Sequence, residues 1–282
     1  MYRASNGSGR SGWTNLKREA GLIVAEPGTE EEYFSRRFAG LLHVDDSCRL
    51  DAIGSVARDW VEARQEASKA STTVQMLAYQ IDGRYDQKGS AGAFVDRLHG
   101  QQGIADELRE LAALLQARTT LPAMPLPGME DTPLVLHASY GIREVLTAVG
   151  WLTANRRNPF QAGVLALPAR RTELLFVTLD KSEGYHDRIA YHDYAISAER
   201  FHWQTQNSAG PDTLAGRRYL HSAPEGWKYQ LFVRVRKGDV YRACGPVLME
   251  SAEGDRPMTI IWRLASPLPV KLFREFSVLR DL

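Results

Sequence analysis

Apolar positions recur every three or four residues along the first 120 positions, the spacing that lines one face of a helix. Trp13 to Ala20 predicts a short helix stopped by Gly21. Thr29-x-x-Glu32 predicts a capping box opening a second, with Tyr33, Phe34, Phe38, Leu41 and Leu42 on its apolar side. Asp45 or Asp46 is placed to cap a third, carrying Leu50, Ile53, Val56, Trp60 and Val61. Val74, Leu77 and Ile81 mark a fourth, Phe94 and Leu98 a fifth, and Ile104, Leu108, Leu111 and Leu115 a sixth. These predict an antiparallel helical bundle with short connections over 13–120, after a Gly/Ser-rich tail at 1–12 expected to be flexible.

The helical pattern stops at Leu121-Pro-Ala-Met-Pro-Leu-Pro-Gly128, where the prolines predict a stiff, extended connector over 121–132. Residues 133–282 then read as a second domain. Pro133 to His137 predicts a short strand and Ser139 to Val149 a helix ended by Gly150. Short apolar runs follow at Gly163–Leu167, Glu173–Leu179, Tyr229–Val235, Tyr241–Met249 and Met258–Leu264, separated by Gly, Asp and Pro, as strands are. The fold class expected is α+β: an N-terminal helical bundle followed by a mostly antiparallel β domain forming a curved sheet or barrel. The aromatic richness of the last third suits that curvature.

Composition narrows the function classes. With 35 basic and 34 acidic side chains the net charge is +1, so no global field draws the chain onto nucleic acid, and any such binding needs a local basic surface. The two cysteines, Cys48 and Cys244, sit in no metal spacing, which fits a reduced, cytoplasmic compartment. The sequence has no apolar run of about 18 residues and no apolar signal core at its start.

One stretch stands apart. Tyr191 to Gln206 reads Y-H-D-Y-A-I-S-A-E-R-F-H-W-Q-T-Q, too polar for a core strand and too aromatic for an ordinary loop. A pocket that reads an extruded base needs flat side chains to stack on it and hydrogen-bonding groups for its edge. Tyr191, Tyr194, Phe201 and Trp203 supply the first. Asp193, an acceptor for an exocyclic amine, with His202, Gln204 and Gln206, supplies the second. Strand alternation sets a limit: Phe201, Trp203 and Thr205 share one face and His202, Gln204 and Gln206 the other, so only one set faces a ligand. A buried aromatic core with a solvated polar face is the competing reading.

Candidate phosphate or groove contacts are Lys181 and Ser182 in the polar turn after Asp180, Arg217 and Arg218 in the Gly/Pro-containing loop 207–218, and Arg234, Arg236 and Lys237. Residues 171–282 carry 16 basic and 14 acidic side chains, so folding has to create any basic surface. His186, His192, His202 and His221 hint at a metal or general base, but match no H-E-x-x-H pattern, and Cys244 has no evident base. The expectation is a non-catalytic chain without metal or cofactor.

The runs F-V-T-L-D-K-S-E-G, Y-H-D-Y-A-I-S, F-H-W-Q-T-Q and G-R-R-Y-L, then L-F-V-R and R-P-M-T-I-I-W-R-L, are similar to the uncharacterised C-terminal domain appended to bacterial superfamily-2 DEAD/DEAH-type helicases. The segment L-L-H-V-D-D at 41–46 resembles the region preceding it. Type IV restriction enzymes of the SauUSI kind belong there, and the resemblance implies an SRA-like or PUA-like portion that recognises 5-methylcytosine in double-stranded DNA. This chain carries no G-x-x-x-x-G-K-[ST] loop, no D-E-A-D/H-like box and no H-x-K nuclease motif. The expected function is a modified-base reader for a restriction or phage-defence system, with a helicase or nuclease partner in cis or in trans. A regulatory module docking onto such a partner, and a metal-dependent hydrolase, are the alternatives.

Overall fold

The computed structural model describes residues 12–69, 71–82, 90–101, 103–152, 163–180, 193–221 and 226–277. By packing, the chain falls into two units: Met1–Pro125 with Glu130–Pro159, and Leu126–Met129 with Phe160–Leu282.

The first unit is helical. Its described helices are α1 (Trp13–Glu19), α2 (Glu31–Arg37), α3 (Ser47–Arg58), α4 (Trp60–Ser68), α5 (Thr72–Ile81), α6 (Ala91–His99), α7 (Ile104–Gln116) and α8 (Ile142–Ala148). Gly21 turns the chain after α1 in a left-handed conformation, φ +74°. The Thr29 capping box does not form. The N-cap of α2 is Glu30, with no side-chain cap, and Glu31 instead forms an ion pair with Arg18. Asp46, not Asp45, caps α3 by accepting from the Arg49 amide at 2.8 Å. The third expected helix is two: Asp59 leaves the helix in an extended conformation and caps α4 through the Glu62 amide. Trp60 and Val61, read as core, are therefore exposed. Phe34 and Phe94 meet edge to face in the core, 6.2 Å between centroids.

Pro133–His137 forms no strand among its described residues beyond one bridge, Val135 to Pro125. The segment from Pro133 to α8, assigned above to the β domain, packs with the helices, as do residues 130–132 of the expected connector. Polar side chains explain why. Glu144 on α8 accepts from Arg49 Nη1 at 2.8 Å and contacts His43 Nε2 at 2.7 Å, while the Asp45 carboxylate takes the amide and hydroxyl of Ser139, both at 2.8 Å.

The second unit is built on strands β2 (Val164–Leu167), β3 (Thr172–Asp180), β4 (Tyr194–Ala195), β5 (Arg200–Gln204), β6 (Lys228–Arg236), β7 (Tyr241–Glu253) and β8 (Thr259–Leu264), which follow β1 (Ser139–Tyr140) in the chain. Their order is β2-β3-β6-β7-β8-β5-β4. All neighbours are antiparallel except β3 and β6, which run parallel. The sheet is open rather than the closed barrel entertained above, because β2 and β4 end it without pairing to each other. One face carries the core: Leu175, Val177, Phe201, Trp203, Tyr229, Leu231, Ile260 and Trp262, with Leu272 and Phe276 from α10 (Val270–Phe276). Residues 207–218, read as a loop, contain most of a helix, α9 (Leu214–Leu220), capped by the Thr213 hydroxyl on the Gly216 amide.

Candidate functional site

The open sheet brings its two flanks together around a cleft of about 340 Å³. One wall is Gly163 and Val164 of the β2 edge with Phe176, Val177 and Thr178 of β3. The other is Asp193, Trp203, Gln204 and Gln206, around β5. The walls are close: a Cβ built on Gly163 lies 3.9 Å from Gln206 Nε2 and 3.3 Å from the Phe176 carbonyl oxygen.

Each side chain has a local reason for its position. Phe201, Trp203 and Thr205 alternate inward and are buried. Trp203 meets Tyr219 edge to face at 5.4 Å, so it shows the cleft only part of a ring anchored in the core. Asp193 is 4% exposed and accepts from the Gln204 amide at 2.9 Å, which holds its carboxylate against the start of the cleft wall. The Gln204 side chain reaches Thr259 Oγ1 at 3.4 Å, and Gln206 is exposed. Across the cleft, Thr178 accepts from Arg234 Nε at 2.8 Å, fixing the guanidinium of a β6 residue beside the wall.

The structure therefore divides the residues singled out in the sequence. Asp193, Trp203, Gln204 and Gln206 line one cleft. Phe201 is wholly buried and lines nothing. Tyr194 and His202 pair across β4 and β5 on the opposite face from Phe201, their rings stacked at 4.8 Å and 8°. Tyr191, Lys181 and Ser182, with His186 and His192, lie outside the described residues.

The basic candidates separate as well. Arg217 folds back onto the Asp212 carbonyl. Arg218 is turned inward: it pairs with buried Glu173 at 3.2 Å and lies over the Trp227 ring at 4.7 Å. Burial pushes the Glu173 carboxyl above its usual range despite that arginine. Arg234, Arg236 and Lys237 run together along the end of β6 into its turn, so they are the basic residues that continue from the cleft wall. Sequence reasoning missed the β2–β3 wall, where no polar or aromatic cluster advertises it; the glycine preceding Val164 is the one local signal.

Among the described residues no group of three or more His, Cys, Asp or Glu side chains is placed to hold a metal ion. Cys244 is fully buried and its thiol is pushed up to about 12, chiefly by desolvation, which keeps it protonated. No described helix is long and apolar enough to cross a membrane.

Residues 134–276, half of the chain, match the family model described as Domain of unknown function (DUF3427); the match starts within the segment that packs with the helices and ends with α10. No curated protein matches the sequence.

Proposed function

The chain belongs to the family described as Domain of unknown function (DUF3427), and on that premise we propose that its sheet unit is a DNA-binding module that takes a flipped, modified base, 5-methylcytosine, into the cleft between β3 and β5. In this reading the module serves a restriction or phage-defence system whose motor or nuclease is a separate segment or chain. The cleft is the observation that carries it. Its volume falls at the low end of small-ligand sites. The Asp193 carboxylate suits the exocyclic amine of cytosine, the Gln204 and Gln206 amides offer donors and acceptors for the rest of the edge, and Val164 and Val177 give an apolar wall for a methyl group. Arg234, Arg236 and Lys237 supply local positive charge for the flanking phosphates in a chain with almost no net charge.

Fluorescence titration with matched duplexes, methylated and unmethylated at cytosine, tests this at fixed salt. Tighter binding of the methylated duplex is expected. Asp193→Asn removes an acceptor facing the amine and should cost about 1–3 kcal/mol of that discrimination. Gln206→Ala, at an exposed position, should reduce it without disturbing the fold. Equal affinity for both duplexes would overturn base reading. Trp203→Ala is a poor test, because it empties the core as well as the cleft.

A further inference from the structure

Register pairs Thr178 of β3 with Arg234 of β6, so a cleft residue and a cation stand side by side on parallel strands. Arg234 is half-buried and held twice. Its Nε donates to Thr178 Oγ1 at 2.8 Å, and its guanidinium carbon lies 4.6 Å from the centre of the buried Tyr241 ring. Both contacts are neutral. Among the described residues Arg234 has no ion-pair partner, and its terminal amino groups, one carbon beyond the pinned Nε, make no hydrogen bond.

Other arginines of this unit are attended. Arg200 has Glu250, Arg218 has Glu173, Arg256 has Asp212, and Arg217 has the Asp212 carbonyl. Within the basic run at the end of β6, Arg236 stands opposite Asp180 in register and its amide donates to Asp239, while Lys237 is exposed. A half-buried cation with neutral partners loses hydration without gaining a counter-charge. Among the described residues nothing offsets that loss, and an anion at the open edge of the guanidinium would. The group is also ordered before any ligand arrives, so binding does not have to order it. A planar fork of N–H donors fits a phosphate or a carboxylate.

We propose that Arg234 binds the backbone phosphate of the nucleotide whose base enters the cleft, and that Thr178 is its positioning residue. The ligand of the site is then a nucleotide with its phosphate, and Arg236 and Lys237 are left to the flanking backbone. The inference rests on the base reading of the cleft. That reading selects phosphate over carboxylate: a base seated against the Thr178 wall carries its phosphate one sugar away, beside the side chain hydrogen-bonded to that wall.

The test titrates the full chain with a fluorescent methylated duplex in which one phosphate at a time is replaced by an uncharged methylphosphonate. In the wild type, replacement beside the methylated cytosine should weaken binding about tenfold, and replacement several nucleotides away far less. Arg234→Met should bind more weakly, lose that sensitivity and show a salt slope lower by about one. Thr178→Val keeps every charge, so it should blunt the sensitivity while the salt slope stays as in the wild type. Where Arg234→Met does not fold, Arg234→Lys, which keeps the charge without the fork, should show the same blunting. Equal costs at every phosphate in the wild type overturn the proposal, whatever the variants do. So does a cost beside the methylated cytosine that persists in Arg234→Met. In both cases a wild-type preference for the methylated over the unmethylated duplex leaves the base reading standing, whereas absence of that preference removes both. Inorganic phosphate that displaces the duplex as well as 5-methyldeoxycytidine monophosphate does also overturns it, in favour of a general anion site.

Discussion

In the helical unit, Arg49 faces two carboxylates; in the sheet unit, Arg218 faces one. Arg49 is 4% exposed and contacts Glu144 at 2.8 Å, Asp46 at 3.0 Å and the Ser139 carbonyl at 2.6 Å, with its guanidinium 4.2 Å from the centre of the Tyr140 ring. Glu144 is served further by His43 and by the Gly141 amide. Glu173, equally buried, has Arg218 at 3.2 Å and the Tyr219 hydroxyl at 3.5 Å on one oxygen, and no hydrogen-bond partner on the other. The outcomes are opposite. For Glu144 burial pushes the pKa up, but Arg49 and His43 outweigh it and leave the carboxyl below its ordinary range. For Glu173 burial wins over Arg218 and the carboxyl stays above it. What separates the two carboxylates is that both oxygens of Glu144 are partnered, whereas one of Glu173 is not.

Removing the cation that serves Glu144 should have the largest effect. Arg49→Met leaves Asp46 buried without its counter-charge and Glu144 with His43 alone, and should cost about 3–5 kcal/mol. Urea titration, with amide hydrogen exchange to separate the units, should show the loss in the helical unit; a cost under about 1 kcal/mol would remove the distinction drawn here.

Glu144→Gln comes next, at about 1–3 kcal/mol near neutral pH. Because the folded-state pKa is depressed, the carboxylate's contribution is present above the ordinary value of 4.5 and lost as pH falls through the folded one. The gap between wild type and variant should therefore narrow below pH 4.5. Asp46 is shifted upward by burial, and the Glu144 charge adds to that shift, so Glu144→Gln relieves part of it and offsets some of the loss above the Asp46 range.

Glu173→Gln should differ in sign. A raised folded-state pKa favours the protonated form, so ionisation weakens the wild type as pH rises from 4.5 through the folded value. The glutamine variant should match the wild type in acid and equal or exceed it at pH 7, by no more than about 1 kcal/mol. A clear loss at pH 7 would show that the Arg218 pair is as stabilising as that of Arg49.

The smallest effect concerns the thiols. Exposed Cys48, in the helical unit, should react promptly with a maleimide, whereas buried Cys244, in the sheet unit, should react only after unfolding. Mass spectrometry of the native protein should show a single adduct.

The same contrast marks what was legible in the sequence. Helices such as Ile104–Gln116 were readable because one face is apolar at a helical period, and strands such as β6 because a short, mostly apolar run is bounded by turn residues. The placement of α8 with the helices was not, since it depends on Arg49 and Glu144, 95 positions apart and silent in any local pattern. Nor does periodicity encode strand order, so the parallel β3–β6 pair and the open edges came only with the structure. At the cleft, alternation separated buried Phe201 and Trp203 from His202 and Gln204, but Trp203, Gln204 and Gln206 line it together, against the expectation that only one set would. Arg217 and Arg218 read as one basic pair although Arg218 is half-buried against Glu173. The β2–β3 wall looked like ordinary strand because it is.

The unjoined flanks of the sheet have a consequence for how this architecture diversifies. A closed barrel fixes its bore by hydrogen-bond register, so widening it means re-pairing whole strands. Here no described strand pairing crosses from β2 to β5, and side chains alone span the separation, with Gly163 facing Gln206. Aperture thus becomes a property of single residues. On the base-reading proposal, substitution of exposed Gln206 would retune which guests are admitted while the ladder and the core stay as they are. Val164 packs against the core and Gly163 against the Phe176 carbonyl, so change there would reach further.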